Sequence, residues 1–512
     1  MITMPSSSST RMYSGWQHEK VSFLLGLSGR RAALLGAAVF LGLEPIASGH
    51  LAGLVLIGPL AVLLVACAYV RLAGRTLDEW IITMVSFQLL KFGRRTSFLS
   101  GAFAPDRGVQ ALRLDLPGVL APLRILTATD GTGGEFAVLH HPQARTFTAI
   151  AAVGSEGLGL VEAERAESLV AAWGEVLASL CTENQPVARI QFVSRLVPQT
   201  VGALRSWHTE HLDPAAPLAS VMANEALLAA SAPFTARRHA WVAITLDARK
   251  AATAIRAAGG GESGACRVLE QQVRALRPLL SGAGITVERW VDTGELSEII
   301  RTGFDPASAA MLDQRRADAI EQAARGQLPA IAAGLDPALA GPAAAESCWS
   351  SYRHDSGVSV TYAVHAWPLS PVYATALAVL LADASYRRSF SFVIEPLGPR
   401  TAQKAVMAEK TKREVSLRLR ARTGQAASAS EQVELHRADA QDLEHAQGSG
   451  LCRFTGYLTV TVEEPDQLAE ACAQAEAGAA LVGIELRRMY GAQDTGFALT
   501  LPVGLGLPAK RW

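Results

Sequence analysis

The sequence predicts an α+β protein in which a two-helix transmembrane hairpin precedes two ferredoxin-like α+β blocks and a protruding helical hairpin. Three observations indicate this fold class. Two apolar blocks lie near the amino terminus at residues 32–43 and 51–70, strand and helix patterns alternate from residue 112 onward, and a charged helical stretch covers residues 400–447. The predicted regions are a polar amino terminus at 1–30, a transmembrane hairpin at 31–71, an interfacial amphipathic helix at 76–97, a first α+β domain at 112–327, a linker at 328–345, and a second α+β domain at 346–506 with the helical insertion at 400–447.

The membrane prediction depends on the two apolar blocks, AALLGAAVFLGL and LAGLVLIGPLAVLLVACAYV, which contain no Lys or Arg. About 20 apolar residues span a ~30 Å hydrocarbon core, and the second block reaches that length. The short link at Ser48–His50 predicts a hairpin. Arg30 and Arg31 precede the pair and Arg71 and Arg75 follow it, which places both termini in the cytoplasm. A buried pair of core helices in a soluble protein is the alternative.

The helix predicted over residues 76–97 follows the hairpin closely. Thr76 and Glu79 have the spacing of a capping box at its start. Trp80 in its first turn and Lys91 near its end are typical of a helix that lies at the cytoplasmic headgroup layer. An ordinary amphipathic helix packed on the soluble part fits the same pattern, so both interpretations stay open.

Charge and cysteine content restrict the class of protein. The 47 basic and 47 acidic residues give a formal net charge of zero, so no global field favours a nucleic-acid partner. The six cysteines show no C-x-x-C motif and no metal-ligand spacing, which is typical of reduced core residues in a cytoplasmic domain. They are Cys67, Cys181, Cys266, Cys348, Cys452 and Cys472.

Strand and helix patterns recur through both predicted α+β domains. In the first domain, a helix over Glu164–Leu180 precedes a strand over Ala188–Val197, and another strand covers His239–Asp247. In the second domain, strands cover Val358–Trp367 and Leu451–Val462. Returning strands of this kind predict small α+β sandwiches. The charged stretch within the second domain would protrude as two solvent-exposed helices that contact a partner.

No phosphate-binding loop is present in the sequence. The glycine-rich segments are DGTGGEF, GGGESGA and GSGLCRF, and none continues to the G-K-[ST] that a P-loop requires. Without that lysine and hydroxyl, ATP hydrolysis by a P-loop mechanism has no candidate residues. These segments are predicted to form turns and linkers.

One segment, SYRHDSGVSV at residues 351–360, brings together the residue types of a hydrolytic triad. Its candidate residues are Arg353, His354, Asp355 and Ser356. A nucleophile, a base and an orienting group must converge in space, whereas neighbours in an extended chain alternate between faces. A structural Asp–Ser turn leading into the following strand is therefore favoured.

Other candidate residues carry weaker signals. His208 and His211 are spaced for one helical face, with Glu210 and Asp213 nearby, but the H-E-x-x-H motif is absent. The remaining candidates are the histidine pair His140–His141, the carboxylates Asp383, Glu463 and Glu464, and the tryptophans Trp173, Trp207, Trp241, Trp290, Trp349 and Trp367. The tryptophans are expected to pack in the core. The sequence thus predicts no catalytic, cofactor-binding or metal-binding residue, and no cofactor.

The order of several segments resembles one known group of proteins. These segments are GWQHEK, RTLDEW, LPGVLAPLRIL, YRHDSGVSV and LRRMYGAQDTGFALTLPVGLG. The chain is similar, from about residue 15 to residue 506, to actinobacterial integral membrane proteins encoded beside conjugation-like type IV secretion ATPases. In that group a PrgI-like membrane hairpin precedes a soluble part related to the N-terminal region of the secretion ATPase. The strongest pieces are Tyr352–Val360 and Arg487–Leu501.

The resemblance implies a function that the residues alone do not reveal. It implies a non-enzymatic scaffold in the cell membrane, multi-pass with both termini cytoplasmic, that docks a separate secretion ATPase and other membrane subunits and forms a homo-oligomer. Two alternatives stay open: a membrane core subunit of a type VII secretion apparatus, and a membrane-tethered hydrolase that uses His354, Asp355 and Ser356. Direct contact with nucleic acid is left undecided.

Overall fold

The computed structural model describes most of the chain. The described residues are 29–47, 52–72, 75–101, 114–130, 133–155, 161–198, 208, 211–213, 215–231, 236–326, 334–368, 377–381, 385–422 and 450–506. They fall into two compact units, one containing residues 97–399 and 450–506 and the other containing residues 29–96 and 400–422. The predicted polar amino terminus up to residue 28, and residues 423–447 of the predicted helical hairpin, lie outside the described residues.

Helices and strands alternate through the described residues. The helices are α1 (Gly29–Ala47), α2 (Ala52–Tyr69), α3 (Leu77–Phe92), α4 (Ala163–Leu180), α5 (Leu218–Ser231), α6 (Ala252–Ala257), α7 (Gly261–Gly282), α8 (Thr293–Phe304), α9 (Ser308–Ala324), α10 (Ala378–Leu381), α11 (Pro399–Arg422), α12 (Leu468–Leu481) and α13 (Gln493–Leu499). The strands are β1 (Arg71–Leu72), β2 (Arg75–Thr76), β3 (Ser97–Leu99), β4 (Arg124–Thr129), β5 (Glu135–His141), β6 (Thr146–Ser155), β7 (Val187–Pro198), β8 (Ala236–Asp247), β9 (Ile285–Trp290), β10 (Ala344–Ser347), β11 (Tyr352–His354), β12 (Gly357–Ala366), β13 (Arg387–Pro396), β14 (Cys452–Val462) and β15 (Glu485–Arg488).

The strands of the larger unit form one antiparallel sheet. Its order is β3-β10-β11-β12-β14-β13-β7-β8-β6-β5-β4, with β15 paired to β12 and β9 paired to β6. The junction between the two halves of the chain is the pair β7–β13, in which Phe192 lies opposite Phe392. An α+β architecture is therefore present, with a single large sheet at its centre.

The predicted division into two ferredoxin-like blocks is wrong because both blocks contribute to this sheet. β7 pairs with β8 on one side and with β13 on the other. Two separate blocks would leave one side of β7 and one side of β13 as unpaired edges, with backbone N–H and C=O groups that a sheet must satisfy or cover. The recurring strand and helix patterns are local, and they do not indicate which strand edges pair.

The segment predicted as a linker, residues 328–345, is described from Gly334 onward and is packed there. It contains a 3₁₀ turn at Pro337–Leu339, where the Asp336 side chain accepts a hydrogen bond from an amide of the turn. The Leu335 amide donates to the Gly294 carbonyl of α8 at 3.2 Å, and the sheet resumes at β10.

The two faces of the sheet differ in chemistry. One face is apolar and packs against α4 and α7, for example through Val242 and Ile244 of β8 and Leu269 and Val273 of α7. Near β12 and β14 the apolar packing continues against α12. The other face carries many hydroxyl, amide and guanidinium groups and is covered by α8, α13 and the chain that follows α13. This second face positions the candidate site.

The smaller unit contains α1, α2, the β1–β2 pair and α3. None of its described helices, and none in the rest of the described chain, is long and apolar enough to cross a bilayer. The predicted transmembrane hairpin is therefore wrong, and the multi-pass placement is unsupported. In α1, Arg31 and Glu44 bracket an uncharged run well short of the ~20 residues that a span requires, and Pro45 lies within the helix. In α2, Pro59 lies within a helix of 18 residues.

The start of α3 differs in detail from the predicted capping box. Thr76 is the residue that precedes the helix, but its side chain caps no amide of the helix. Instead, Arg31 of α1 donates to Thr76 Oγ1 at 2.9 Å and to Glu79 Oε1 at 2.8 Å. The two residues that resemble a capping box therefore connect the beginning of α3 to the beginning of α1.

Candidate functional site: a buried polar layer beneath the carboxyl-terminal segment

Strands at the centre of the large sheet alternate polar and apolar side chains. We define the polar layer as the following buried polar side chains on the face that α8 and α13 cover: Thr148, Gln191, Arg195, Thr245, His354, Ser359, Thr361, Arg387, Ser389, Ser391, Thr459 and Thr461. An antiparallel sheet with such alternation commonly exposes its polar face to water. Here that face is covered, so its polar groups must find partners within the protein.

Gln191 connects the polar layer to the segment after α13. Its Nε2 lies 2.9 Å from Ser391 Oγ and from the Leu499 and Leu501 carbonyl oxygens. Its Oε1 accepts a hydrogen bond from the Gly504 amide at 2.8 Å. One fully buried side chain therefore satisfies three backbone groups of the carboxyl-terminal segment.

Gly504 lies where the carboxyl-terminal segment crosses β6 and β8. Its φ is +68°, in the left-handed region that favours glycine. A Cβ at this position would collide with the hydroxyl oxygens of Thr148 and Thr245, which lie 3.0 Å apart. Both the backbone conformation and the close approach therefore require glycine here.

A chain of hydroxyl groups continues the polar layer toward α13. Thr361 Oγ1 lies 2.8 Å from Thr459 Oγ1, which in turn lies 2.8 Å from Thr500 Oγ1. Gln493, at the start of α13, accepts a hydrogen bond from the Thr361 amide at 2.8 Å. These contacts attach α13 to β12 and β14.

His354 occupies the end of the polar layer at β11. Its Nδ1 lies 2.5 Å from the Phe304 carbonyl oxygen and its Nε2 lies 2.7 Å from Ser359 Oγ. A carbonyl oxygen only accepts, so Nδ1 carries the hydrogen and Ser359 donates to Nε2. Burial lowers the pKa of His354 to about 4, and the nearby Arg387 charge acts in the same direction. The imidazole is therefore neutral at pH 7, with both nitrogens paired.

The three residues of the triad hypothesis have separate partners. Asp355 forms an ion pair with Arg301 at 3.0 Å. The Ser356 hydroxyl donates to Asp305 Oδ1 at 2.5 Å, while His354 points into the core. The geometry of a nucleophile, a base and an orienting group is not formed. These residues make the turn between β11 and β12, as the favoured interpretation predicts.

Two buried guanidinium groups hold the carboxyl end of α8. Arg195 donates to the Ile299 carbonyl at 3.1 Å and to Thr302 Oγ1 at 3.2 Å, and Arg387 donates to the Thr302 carbonyl. Arg195 also stacks on the Trp241 ring, 5.1 Å from its centroid. Burial lowers the pKa of both groups, for Arg387 to about 10. Positive charge at this helix end complements the helix dipole.

The histidine pairs of the sequence have local contacts. His140 stacks on Phe147 with 4.3 Å between ring centroids, and its Nδ1 lies 3.1 Å from Glu262 Oε1. His141 accepts a hydrogen bond from the Ala144 amide within a turn. Of the residues weighed as metal ligands around His208 and His211, Glu210 lies outside the described residues, and the described part of the chain contains no group of three or more metal-ligating side chains.

The other weak candidates have ordinary surroundings. Glu463 and Glu464 are exposed after β14, and Asp383 and Trp207 lie outside the described residues. The other tryptophans pack against rings or a guanidinium group, but of these only Trp241 is buried as the core prediction requires. They are Trp173 on Phe192, Trp241 on Arg195, Trp290 on Phe136, Trp349 on Tyr490, and Trp367 on Phe392.

Sequence reasoning missed Gln191, Arg195 and Arg387 as determinants of the site. A usable signal was present, because Gln191 and Arg195 lie four residues apart in a strand and so share one face.

The two segments that carry the resemblance, Tyr352–Val360 and Arg487–Leu501, meet in the structure. The Phe497 ring of α13 lies 4.7 Å from the His354 ring and 5.3 Å from the Tyr352 ring, centroid to centroid.

Residues 234–364 match a protein-family model described as "Putative type VII ESX secretion system translocon, EccE". The similarity is to a type VII secretion component. The matched residues include β8 through β11 and most of β12, and with them α8 and His354. The match favours the type VII alternative over the type IV interpretation, for which the comparisons offer no support. A comparison with curated proteins finds no match.

Proposed function

We propose that the chain is a non-catalytic, membrane-associated component of a type VII secretion translocon. The match over residues 234–364 carries this proposal, because those residues supply β8, α8 and the strand β11 that contains His354. An ATPase partner and self-association stay expectations that rest on the resemblance alone.

The chemistry of the polar layer supports a structural role for this part of the chain. Gln191, His354 and Arg195 direct their polar atoms to backbone carbonyls or amides of other elements. Buried polar networks of this kind rigidify a core and specify one arrangement of its elements. A rigid body of this type suits a subunit that positions its partners.

We place a partner contact on α9 within the matched segment. Met311 of α9 is 59% exposed, and Leu339 in the 3₁₀ turn at Pro337–Leu339 is 60% exposed. Both elements pack on α8, whose carboxyl end is fixed by the buried arginines. The partner here would be another membrane subunit of the translocon, whose apolar surface would cover these two side chains.

Replacing one exposed methionine by arginine on each of two helices can test this contact. Introducing Met311→Arg should lower the recovery of other translocon subunits with the tagged full-length protein at least ~10-fold, since a charge would enter an apolar contact worth more than ~1.4 kcal/mol. The matched control is Met222→Arg on α5, because Met222 is 61% exposed but lies outside the family match. Co-purification from solubilised membranes measures the effect.

A strain lacking the protein provides the wider test. Secretion of type VII substrates into the medium should be lost and should return when the unsubstituted chain is supplied. Unchanged secretion in that strain, or the absence of every translocon subunit from the purified material, would contradict the proposed function.

Membrane association is proposed to involve the exposed face of α3. This face forms a shallow apolar groove between Met84 and Phe92, and Phe92 itself is 92% exposed. Lys91 lies beside the groove and Arg94 and Arg95 follow the helix, so positive charge borders apolar surface. That combination is typical of a helix that lies in the headgroup region of anionic lipids.

Glutamate substitutions on α3 should weaken this lipid contact. With Leu89→Glu and Phe92→Glu together, the partition of the full chain onto phosphatidylglycerol vesicles should fall at least ~10-fold, because each apolar contact is worth roughly 1.5–3 kcal/mol when buried. Leu481→Glu is the control, since Leu481 is 81% exposed on α12 of the other unit. If the double variant and the unsubstituted protein sediment equally with the vesicles, α3 is excluded as the lipid contact.

A further inference from the structure

Two cysteine side chains from distant parts of the sequence meet in the larger unit. Cys181 follows α4 and Cys452 begins β14, and their Sγ atoms lie 3.4 Å apart. The Cys181 Sγ also lies 3.4 Å from the Leu451 carbonyl oxygen. A Cβ at Gly450 would come within 2.7 Å of Cys181 Sγ, so the backbone before β14 passes directly over this thiol.

The position of the pair in the chain is distinctive. Leu397 leaves β13, and its amide donates to the Leu451 carbonyl at 2.9 Å. The chain between these two residues includes α11, and it returns to the sheet beside Cys181. The two thiols therefore lie at the base of the excursion that begins after β13.

We propose that Cys181 and Cys452 form a reversible disulfide and that this pair is an oxidative modification site, with a low-molecular-mass disulfide as the oxidant. Sulfur atoms 3.4 Å apart need to approach by little more than 1 Å to reach the bonded separation of about 2.05 Å. Among the described residues, no other two thiols lie within hydrogen-bonding distance of each other.

Each thiol has a distinct part in the reaction. The hydrogen bond from Cys452 lowers the pKa of Cys181, whereas the pKa of Cys452 is raised. The thiolate is the nucleophile in disulfide exchange, so Cys181 attacks the oxidant. One sulfur of the oxidant becomes bonded to Cys181, and the other leaves as a thiolate that takes up a proton.

Cys452 completes the exchange. Its sulfur, on losing its proton, attacks the Cys181 sulfur of the mixed disulfide and displaces the second small thiol. Two protein thiols and one small disulfide thus give one protein disulfide and two small thiols. A reducing dithiol reverses the reaction by the same steps.

Thiol counting on the full-length protein tests the proposal. After incubation of the reduced protein with glutathione disulfide, acid quenching and denaturation, the number of titratable thiols should fall from six to four because two are consumed. Peptide mapping should show residue 181 joined to residue 452, and dithiothreitol should restore all six thiols.

Serine variants separate this pair from the other cysteines. Cys348→Ser is the control, because Cys348 is partly exposed and free, and this variant should keep the cross-link while its thiol count falls from five to three. Cys452→Ser should instead leave Cys181 as a mixed disulfide with glutathione. Retention of all six thiols in the unsubstituted protein, or a cross-link that involves other cysteines, would overturn the proposal.

Discussion

Replacing Gln191 with leucine is expected to destabilise the larger unit by about 3–5 kcal/mol and to free the segment after α13 from the sheet. The leucine side chain fits the volume but offers no hydrogen bond. The Leu499 carbonyl and the Gly504 amide would then lose their partner, and the Leu501 carbonyl would keep only the Val503 amide. Each buried group left unsatisfied costs about 1–3 kcal/mol, which sets the expected size.

Hydrogen exchange and denaturant unfolding measure this effect. The Gly504 amide should lose its protection in the Gln191→Leu variant, and the urea midpoint of the larger unit should fall. Gln314→Leu on α9 is the control, since Gln314 is exposed and bonds only to Asp318 of the same helix. Its effect should stay within about 0.5 kcal/mol. Retained protection of the Gly504 amide in Gln191→Leu would show that other contacts hold the segment.

Acidification is the second large effect, and His354 is its expected source. Its pKa is lowered from 6.5 to about 4 in the folded protein, mainly by burial. Below pH 6.5 the unfolded chain therefore binds a proton that the folded protein does not. The stability linked to His354 is complete above pH 6.5 and is lost as the pH falls toward 4, by about 3 kcal/mol in total.

The His354→Phe variant isolates this contribution. At pH 7 the variant should be less stable by about 2–3 kcal/mol, because the Phe304 carbonyl loses its partner and the Ser359 hydroxyl keeps only Thr461 Oγ1. It has no proton to gain on unfolding at this position, so the difference from the unsubstituted protein should shrink toward zero near pH 4. Urea unfolding at half-unit intervals between pH 4 and pH 7.5 measures the two curves.

His239 does not affect the stability difference between the unsubstituted protein and His354→Phe. Burial and nearby guanidinium groups lower its pKa to about 4 as well, so it adds to the acid sensitivity of both proteins equally. A constant stability difference between the unsubstituted protein and His354→Phe across the whole pH range would argue against His354 as the titrating group.

The periodic elements of the fold were predictable because their signals are local. The strand predicted over Ala188–Val197 is observed as Val187–Pro198, and the helix predicted over Glu164–Leu180 as Ala163–Leu180. Helix α8 was missed although it has an amino-terminal signal, since Asp292 accepts a hydrogen bond from the Glu295 amide. Its apolar face, which packs on the sheet, has helical spacing.

The candidate site was only partly predictable. The turn at Asp355 and Ser356 was predictable, because adjacent residues of an extended chain alternate between faces and so favour a turn over a triad. The polar layer was not anticipated, since alternation of hydroxyl and apolar residues in strands such as β14 ordinarily indicates a face exposed to water. Only the long-range placement of α8 and α13 reveals that this face is buried.

Membrane placement failed for a different reason. The length of a membrane span was judged from the apolar stretches of the sequence. In the helix α1, however, Arg31 and Glu44 limit the apolar run and Pro45 lies near its end. The pairing of β7 with β13 was equally inaccessible, because no local pattern specifies which strand completes a given edge.

The β7–β13 pair has a consequence for the nascent chain. Synthesis at ~5–20 residues per second leaves about 10–40 s between the emergence of β7 and that of its neighbour β13. During this interval a long unpaired strand edge is open to other polypeptides near the ribosome, and a product that stops before β13 keeps it open permanently. Chaperone engagement of ribosome-bound chains should therefore begin once β7 emerges and end after β13 has been made.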